Sequence, residues 1–165
     1  PVGQAVADSV AAADALLAAG AQQLFVKYCS TFDSTDAGNI GPVADALLKR
    51  LGAGFAIACP AFPANGRSIY QGHLFVGQKL LSESGMENHP LTPMTDPDLV
   101  RVLGRQTDGG VGLIPFAVVD QGEAAIRREV TRLVDAGRRY AIVDAVDDQH
   151  LHAIGAACAL SLIHI

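Results

Sequence analysis

Cysteine is scarce in this 165-residue sequence: Cys29, Cys59 and Cys158 stand far apart and form no CxxC pair. That spacing argues against a disulfide framework or a zinc ribbon and points to a reducing, cytoplasmic compartment. Charge is sparse as well, with 18% charged residues, a net charge of -5, and twelve Lys and Arg scattered rather than gathered on one face. Nucleic acid therefore has no electrostatic footprint, and a small ligand is the expected partner. No apolar run approaches the ~20 residues that cross a bilayer. The opening Pro1-Val2-Gly3-Gln4 has neither a basic n-region nor an apolar h-region, so no membrane association is expected. The missing initiator Met suggests that the true N-terminus lies elsewhere. There is no GxxxxGK[ST] phosphate loop. Gly109-Gly110-Val111-Gly112 precedes a strand pattern rather than joining a strand to a helix, and GxGxxG follows neither early strand. Neither a nucleotide site nor a metal site is expected within this chain.

Half the residues are hydrophobic, which suits one packed α/β domain or part of one, and the length is too short for two full-sized domains. Val6, Val10, Ala13, Leu16 and Leu17 recur at helical spacing before Gly20, predicting an opening amphipathic helix. Leu24-Phe25-Val26 and Phe55-Ala56-Ile57-Ala58-Cys59 have the length of buried strands. Between them Ile40, Val43, Ala44, Leu47, Leu48 and Leu51 form a helical face closed by Gly52. Strand, helix, strand is the crossover unit of a parallel sheet. Ser68-Ile69-Tyr70 and His73-Leu74-Phe75-Val76 flank Gly72 as a hairpin. Residues 82–98 read as a long loop ending in Thr95-Asp96-Pro97, a helix start with Pro in its first turn. Residues 111–116 and 140–143 are further strands, and helical faces run through Ile126, Val130, Leu133 and Val134 and through Leu151, Ile154 and Cys158. The predicted fold class is layered α/β: a mostly parallel sheet flanked by helices, with a hairpin and a long loop inserted in the middle.

Chemistry concentrates in Lys27-Tyr28-Cys29-Ser30-Thr31-Phe32-Asp33-Ser34-Thr35-Asp36-Ala37-Gly38-Asn39-Ile40-Gly41-Pro42, between a predicted strand and the next helix. Open α/β sheets bind ligands outside the carboxyl ends of their strands, and a helix N-terminus offers N–H groups to an anion. Lys27 can balance a carboxylate, while Ser30, Thr31, Asp33 and Asn39 can exchange hydrogen bonds with hydroxyls. The same composition also fits a loop that caps a helix through Asn39 or Asp36. A second cluster, Cys59-Pro60-Ala61-Phe62-Pro63-Ala64-Asn65-Gly66-Arg67, ends the next predicted strand. Gly66 permits close backbone approach and Arg67 presents a planar fork for a carboxylate, or else pairs at the surface with Asp or Glu. His73 reads as a packed or edge histidine. His150 and His152, two apart on a helix, face different ways.

These clusters, with Tyr70-Gln71-Gly72-His73-Leu74-Phe75-Val76-Gly77 and Leu81-Ser82-Glu83-Ser84-Gly85-Met86-Glu87-Asn88-His89-Pro90-Leu91-Thr92-Pro93-Met94-Thr95-Asp96, resemble the four-carbon acid sugar kinase family, specifically its 3-oxo-tetronate branch. The likeness covers residues 1–159 and is dense over 27–105. It implies an N-terminal domain that binds a small acid sugar and a C-terminal domain that binds ATP with Mg²⁺. Phosphate would pass to the terminal 4-hydroxyl of a 3-oxo-tetronate. By resemblance the family's Lys-x-x-Ser-Thr pattern falls on Lys27, Ser30 and Thr31, and its Gly-Arg on Gly66 and Arg67. The family's opening Asp-Asp-Phe-Thr-Gly strand is not found before Pro1, and Leu160-Ser161-Leu162-Ile163-His164-Ile165 is what a common transposase adapter encodes. Residues 1–159 are accordingly expected to be a partial acid-sugar-binding domain that does not complete catalysis alone. Residues 160–165 are expected to be an artificial tail, with the nucleotide-binding domain absent. A threonate or erythronate kinase of the same family and a non-catalytic sugar-acid binding module are the alternatives.

Overall fold

A computed structural model describes residues 1–32 and 35–159, and the backbone of 163–164. The Ala-rich opening forms α1 (Val2–Ala18), whose Val6, Val10 and Ala13 pack with Leu24 against Val43 and Leu47 of α2 (Ile40–Leu51). Gly52 closes α2 at φ 63°, where glycine is favoured, and its N–H donates to the Lys49 carbonyl. The short strand β1 (Ala56–Ala58) follows. Next come β2 (Arg67–Tyr70), β3 (His73–Val76) and β4 (Lys79–Leu80), an antiparallel three-stranded sheet. Beyond it are α3 (Leu99–Gly104), β5 (Val111–Ile114), α4 (Phe116–Val119), α5 (Glu123–Asp135), β6 (Tyr140–Val143), α6 (Asp148–Cys158) and β7 (Ile163–His164).

Strands β5, β6, β1 and β7 form one parallel sheet in that order. Side chains alternate across a sheet. On one face Ala56, Ala58, Tyr140 and Ile142 pack with Ala44 and Leu48 of α2, Leu99 and Val102 of α3, and Ile69 and Leu74 of the hairpin. On the other, Ile57, Ala141 and Val143 pack with Val119, Ile126, Val130 and Ile154 of α4, α5 and α6. Every residue of β6 is buried, as a central strand covered on both faces requires.

The layered α/β class and the inserted hairpin are as predicted, and three local expectations need correction. Residues 24–26 form no strand: Leu24 is buried, but Phe25 is 76% exposed and carries only a single bridge, so the segment runs extended without a ladder. The strand–helix–strand crossover at the N-terminal end is therefore not made as predicted. The strand over 111–116 stops at Ile114, because Pro115 brings no N–H and Phe116 opens α4. The helix expected at Pro97 starts at Leu99, capped by Asp98, whose carboxylate accepts from the Arg101 N–H at 3.1 Å. Pro97 is instead drawn into the hairpin layer, its carbonyl accepting from the Leu74 N–H. The long loop before it is tightened by 3-10 turns at Leu81–Glu83 and Met86–Asn88. Of the expected tail, residues 160–162 and 165 lie outside the described residues.

Candidate functional site

An open cleft of about 400 Å³ lies at the carboxyl end of β1. One wall is the extended segment Phe25, Val26, Lys27, Tyr28, Cys29 and Ser30. The other is the loop Cys59, Pro60, Ala61 and Phe62, with Asn65 beyond it. The two sequence clusters thus meet, because the extended segment passes beside the end of β1. Lys27 and Cys29 are exposed and Ser30 half-buried, which leaves an ammonium, a hydroxyl and the backbone at the rim.

Beneath them the walls are fixed. Tyr28 stacks edge-on against the fully buried Phe32 at 5.3 Å between ring centres. Burial holds the Tyr28 hydroxyl well above its ordinary pKa, the neighbouring Cys59 adds to this, and a backbone hydrogen bond at Cys59 opposes it. Burial likewise pushes the Cys59 thiol up to about 12, a backbone bond at Ala61 acting against this and the nearby Asp144 carboxylate with it. Both groups stay protonated at neutral pH, so Cys59 is a packed wall residue rather than a thiolate nucleophile.

The remaining predicted residues are placed unevenly. Thr31 is buried and does not line the cleft, its Oγ1 3.1 Å from Cys29 Sγ. Asp33 lies outside the described residues. Asn39 precedes α2 with no side-chain capping bond, and lines a separate hollow of about 240 Å³ that also includes Lys27, Asp8 and Ser9. Gly66 is left-handed at φ 66° and its carbonyl accepts from the Gly77 N–H at 2.7 Å, so the turn closes the end of the hairpin. Arg67 is in β2 opposite Val76, one Nη donating to the Asn65 carbonyl while its buried Nε has no partner. Arg67 does not line the cleft itself; its loop neighbour Asn65 does.

The N-terminus of α2 is not the open anion cradle that the sequence pattern suggests. The Gly41 N–H donates to Gln106 Oε1 at 3.0 Å, and Pro42 has no N–H to offer. The Gln106 Nε2 donates to the Thr35 carbonyl at 2.7 Å, so one buried amide ties both ends of the turn. The fit depends on glycine: a Cβ at Gly38 would stand 2.3 Å from that Nε2, and one at Gly41 2.5 Å from the Gln106 Cβ. Arg105 next to it bridges Asp36 and Asp96 at 3.0 and 3.3 Å, which commits the Asp36 carboxylate to a surface ion pair. Gln106 and the fully buried Asp144 escaped the sequence reading because their partners are tens of residues away, as did the Arg105 link to Asp36. The only local signal was Gly38 and Gly41 within an otherwise polar run.

The carboxyl end of a parallel sheet, walled by an extended segment carrying Lys27 and a proline-stiffened loop, defines an α/β domain with an open cleft where parallel sheets commonly bind ligands. The chain belongs to the sugar-binding N-terminal domain family, whose model matches residues 1–164. It is 62% identical to a 3-oxo-tetronate kinase of Burkholderia multivorans over 96% of this chain. It spans 37% of the length of that curated relative. A solved Haemophilus influenzae protein superposes with a TM-score of 0.95 and 47% identity, covering 99% of this chain and 40% of that one. A Bordetella bronchiseptica protein, solved with bound citrate as a domain-swapped dimer, is 27% identical with a TM-score of 0.74, covering 95% of this chain and 36% of that one.

Proposed function

We propose that this chain is the acid-sugar-binding part of an ATP-dependent kinase that phosphorylates the 4-hydroxyl of 3-oxo-tetronate. The carrying observation is the cleft at the end of β1, which brings Lys27 and Ser30 against the loop that leads to Gly66 and Arg67. The 62% identity to a 3-oxo-tetronate kinase supports the substrate class. The Bordetella relative was solved with citrate, a small polycarboxylate, which is in keeping with a protein family that takes small organic anions. In this reading Lys27 neutralises the carboxylate and Ser30 bonds to the substrate's hydroxyls, with Asn39 serving a hydroxyl that reaches past Lys27 into the hollow the two residues share. Thr31 steadies the rim through Cys29, and Asp33 acts with the loop. Gly66 and Arg67 stand on the hairpin side, just beyond the lining residue Asn65, where the Arg67 guanidinium adds positive charge near the cleft.

Among the described residues no group of three or more His, Cys, Asp and Glu is arranged to hold a metal ion, so no step is assigned here to Mg²⁺. ATP and Mg²⁺ belong, in this reading, to the part of the full-length protein outside this chain. Phosphoryl transfer is mostly positioning and charge stabilisation, and this chain supplies the positioning of the acceptor.

The test is ADP release by the full-length protein with ATP, Mg²⁺ and 3-oxo-tetronate, threonate or erythronate offered separately. Turnover confined to the 3-oxo acid is expected. Turnover only with the other acids replaces the substrate and keeps the kinase, and none with any acid leaves the non-catalytic binding module.

A further inference from the structure

Asp144 follows β6 directly and is the only buried carboxylate among the described residues, at 0% exposure. Its Oδ2 accepts from the Gln71 N–H at 2.7 Å and the Phe116 N–H at 2.8 Å, and its Oδ1 from the Gly72 N–H at 2.9 Å. A buried carboxylate is tolerated when its hydrogen bonds are made, and bonds to an ionised acceptor are the stronger kind. Here all three donors are backbone, from the turn of the hairpin and from the first residue of α4. Among the described residues no side chain donates to this acid, and the residue is fully buried.

The turn it holds is a poor one by local chemistry. Gln71 stands at φ 52° and Gly72 at 75°, a two-residue loop whose first position suits Asn, Asp or Gly better than Gln. The opposite end of the same hairpin carries Gly66 and Arg67. Ile69 bridges to Ala145 on the chain just past Asp144, so both links fix the hairpin to the end of β6. β6 pairs in parallel with β1, Ala58 opposite Ile142, so Asp144 follows β6 at the level where the cleft wall at Cys59 and Pro60 follows β1.

We propose that Asp144 is a positioning residue for the acid-sugar site: it sets where the hairpin bearing Arg67 stands relative to the wall at residues 59–62, and touches no ligand itself. The inference rests on the function proposed above. It is read from a double-mutant cycle in the full-length protein, with kcat and KM for 3-oxo-tetronate measured for the parent, Asp144→Asn, Arg67→Ala and the double variant, and folding followed by thermal denaturation. Asp144→Asn puts an amide against at least one of the three N–H donors. The expected result is a KM raised tenfold or more with kcat within about threefold, and an Arg67→Ala effect on KM that shrinks to under threefold once Asp144→Asn is present. A merely structural acid would lower the melting temperature and leave the Arg67→Ala effect intact. If Asp144→Asn does not accumulate folded, Asp144→Glu, which keeps the charge on a longer arm, carries the same cycle.

A folded Asp144 variant with the parent's KM overturns the proposal, as does an undiminished Arg67→Ala effect. If Arg67→Ala changes nothing in the parent, the assignment of Arg67 fails by itself, and the KM of the Asp144 variant decides. If the parent turns over none of the acids, the kinase reading fails, and the cycle is read on citrate affinity by calorimetry. A variant that then binds citrate as the parent does overturns the proposal, and so does a parent that binds none.

Discussion

At the scale of single residues, the proposed site rests on a few donors. Lys27 has no salt bridge among the described residues and stands exposed at the rim. Arg67 spends one Nη on Asn65 and leaves Nε buried and unpartnered. A charge-assisted hydrogen bond contributes about 1.5–3 kcal/mol, roughly a 10- to 100-fold change in affinity. Arg67→Ala and Lys27→Ala in the full-length protein should each raise KM for the acid within that range and lower kcat much less. An unchanged KM for both would remove the anion clamp. The thiols make a separate prediction. Burial pushes Cys59 and Cys158 up to about 12, Arg127 opposing this at Cys158, whereas an unfolded cysteine titrates near about 8.5. Both are acids with raised folded pKa values, so their contribution is complete below about 8.5 and is lost as pH rises toward 12. Urea denaturation at pH 7.5 and 10 should therefore show lower stability at the higher pH. At pH 8 a thiol reagent should label the exposed Cys29 before Cys59 or the buried Cys158.

At the scale of elements, the sheet and its helices were legible wherever the pattern is local. α2 announced itself by apolar spacing and a closing glycine, β6 by a continuous apolar run, and the hairpin by two alternating runs around Gly72. Residues 24–26 misled because a short apolar run reads the same whether or not a neighbour completes a ladder, and Phe25 faces outward. The true start of α3 was hidden because Asp96 and Asp98 both precede the helix, and which one caps it depends on the bond from Leu74 to the Pro97 carbonyl. The site was legible to the same degree. Lys27, Ser30 and the proline loop could be named because strand ends are where parallel sheets bind ligands. Gln106 and Asp144 could not, because backbone bonds 65 and 71 residues long for Gln106, and 28 to 73 for Asp144, leave no local pattern. The amide latch on α2 has a direct consequence. A methyl at Gly41 would meet the Gln106 backbone oxygen at 2.6 Å as well as its Cβ, so no side-chain rotation relieves it. Gly41→Ala should destabilise the fold by about 1–3 kcal/mol, read as a lower urea midpoint. A midpoint equal to the parent's would mean that the latch gives way cheaply.

At the scale of the molecule, two helical layers bury a short parallel sheet, the hairpin packs against it, and the cleft opens between the loop at residues 59–62 and the segment that carries Lys27. No helix among the described residues is long and apolar enough to cross a membrane. The chain covers 37% of the length of its curated Burkholderia relative, and in the proposed function this part would hold the acid. The central claim is the location of the acid. A crystal structure of the full-length protein with 3-oxo-tetronate and a non-hydrolysable ATP analogue tests it most directly. The account predicts the acid in the cleft at the end of β1, its carboxylate within salt-bridge distance of Lys27 or Arg67 and its 4-hydroxyl turned toward the nucleotide. An acid bound anywhere else, with that cleft filled only by solvent, would contradict it.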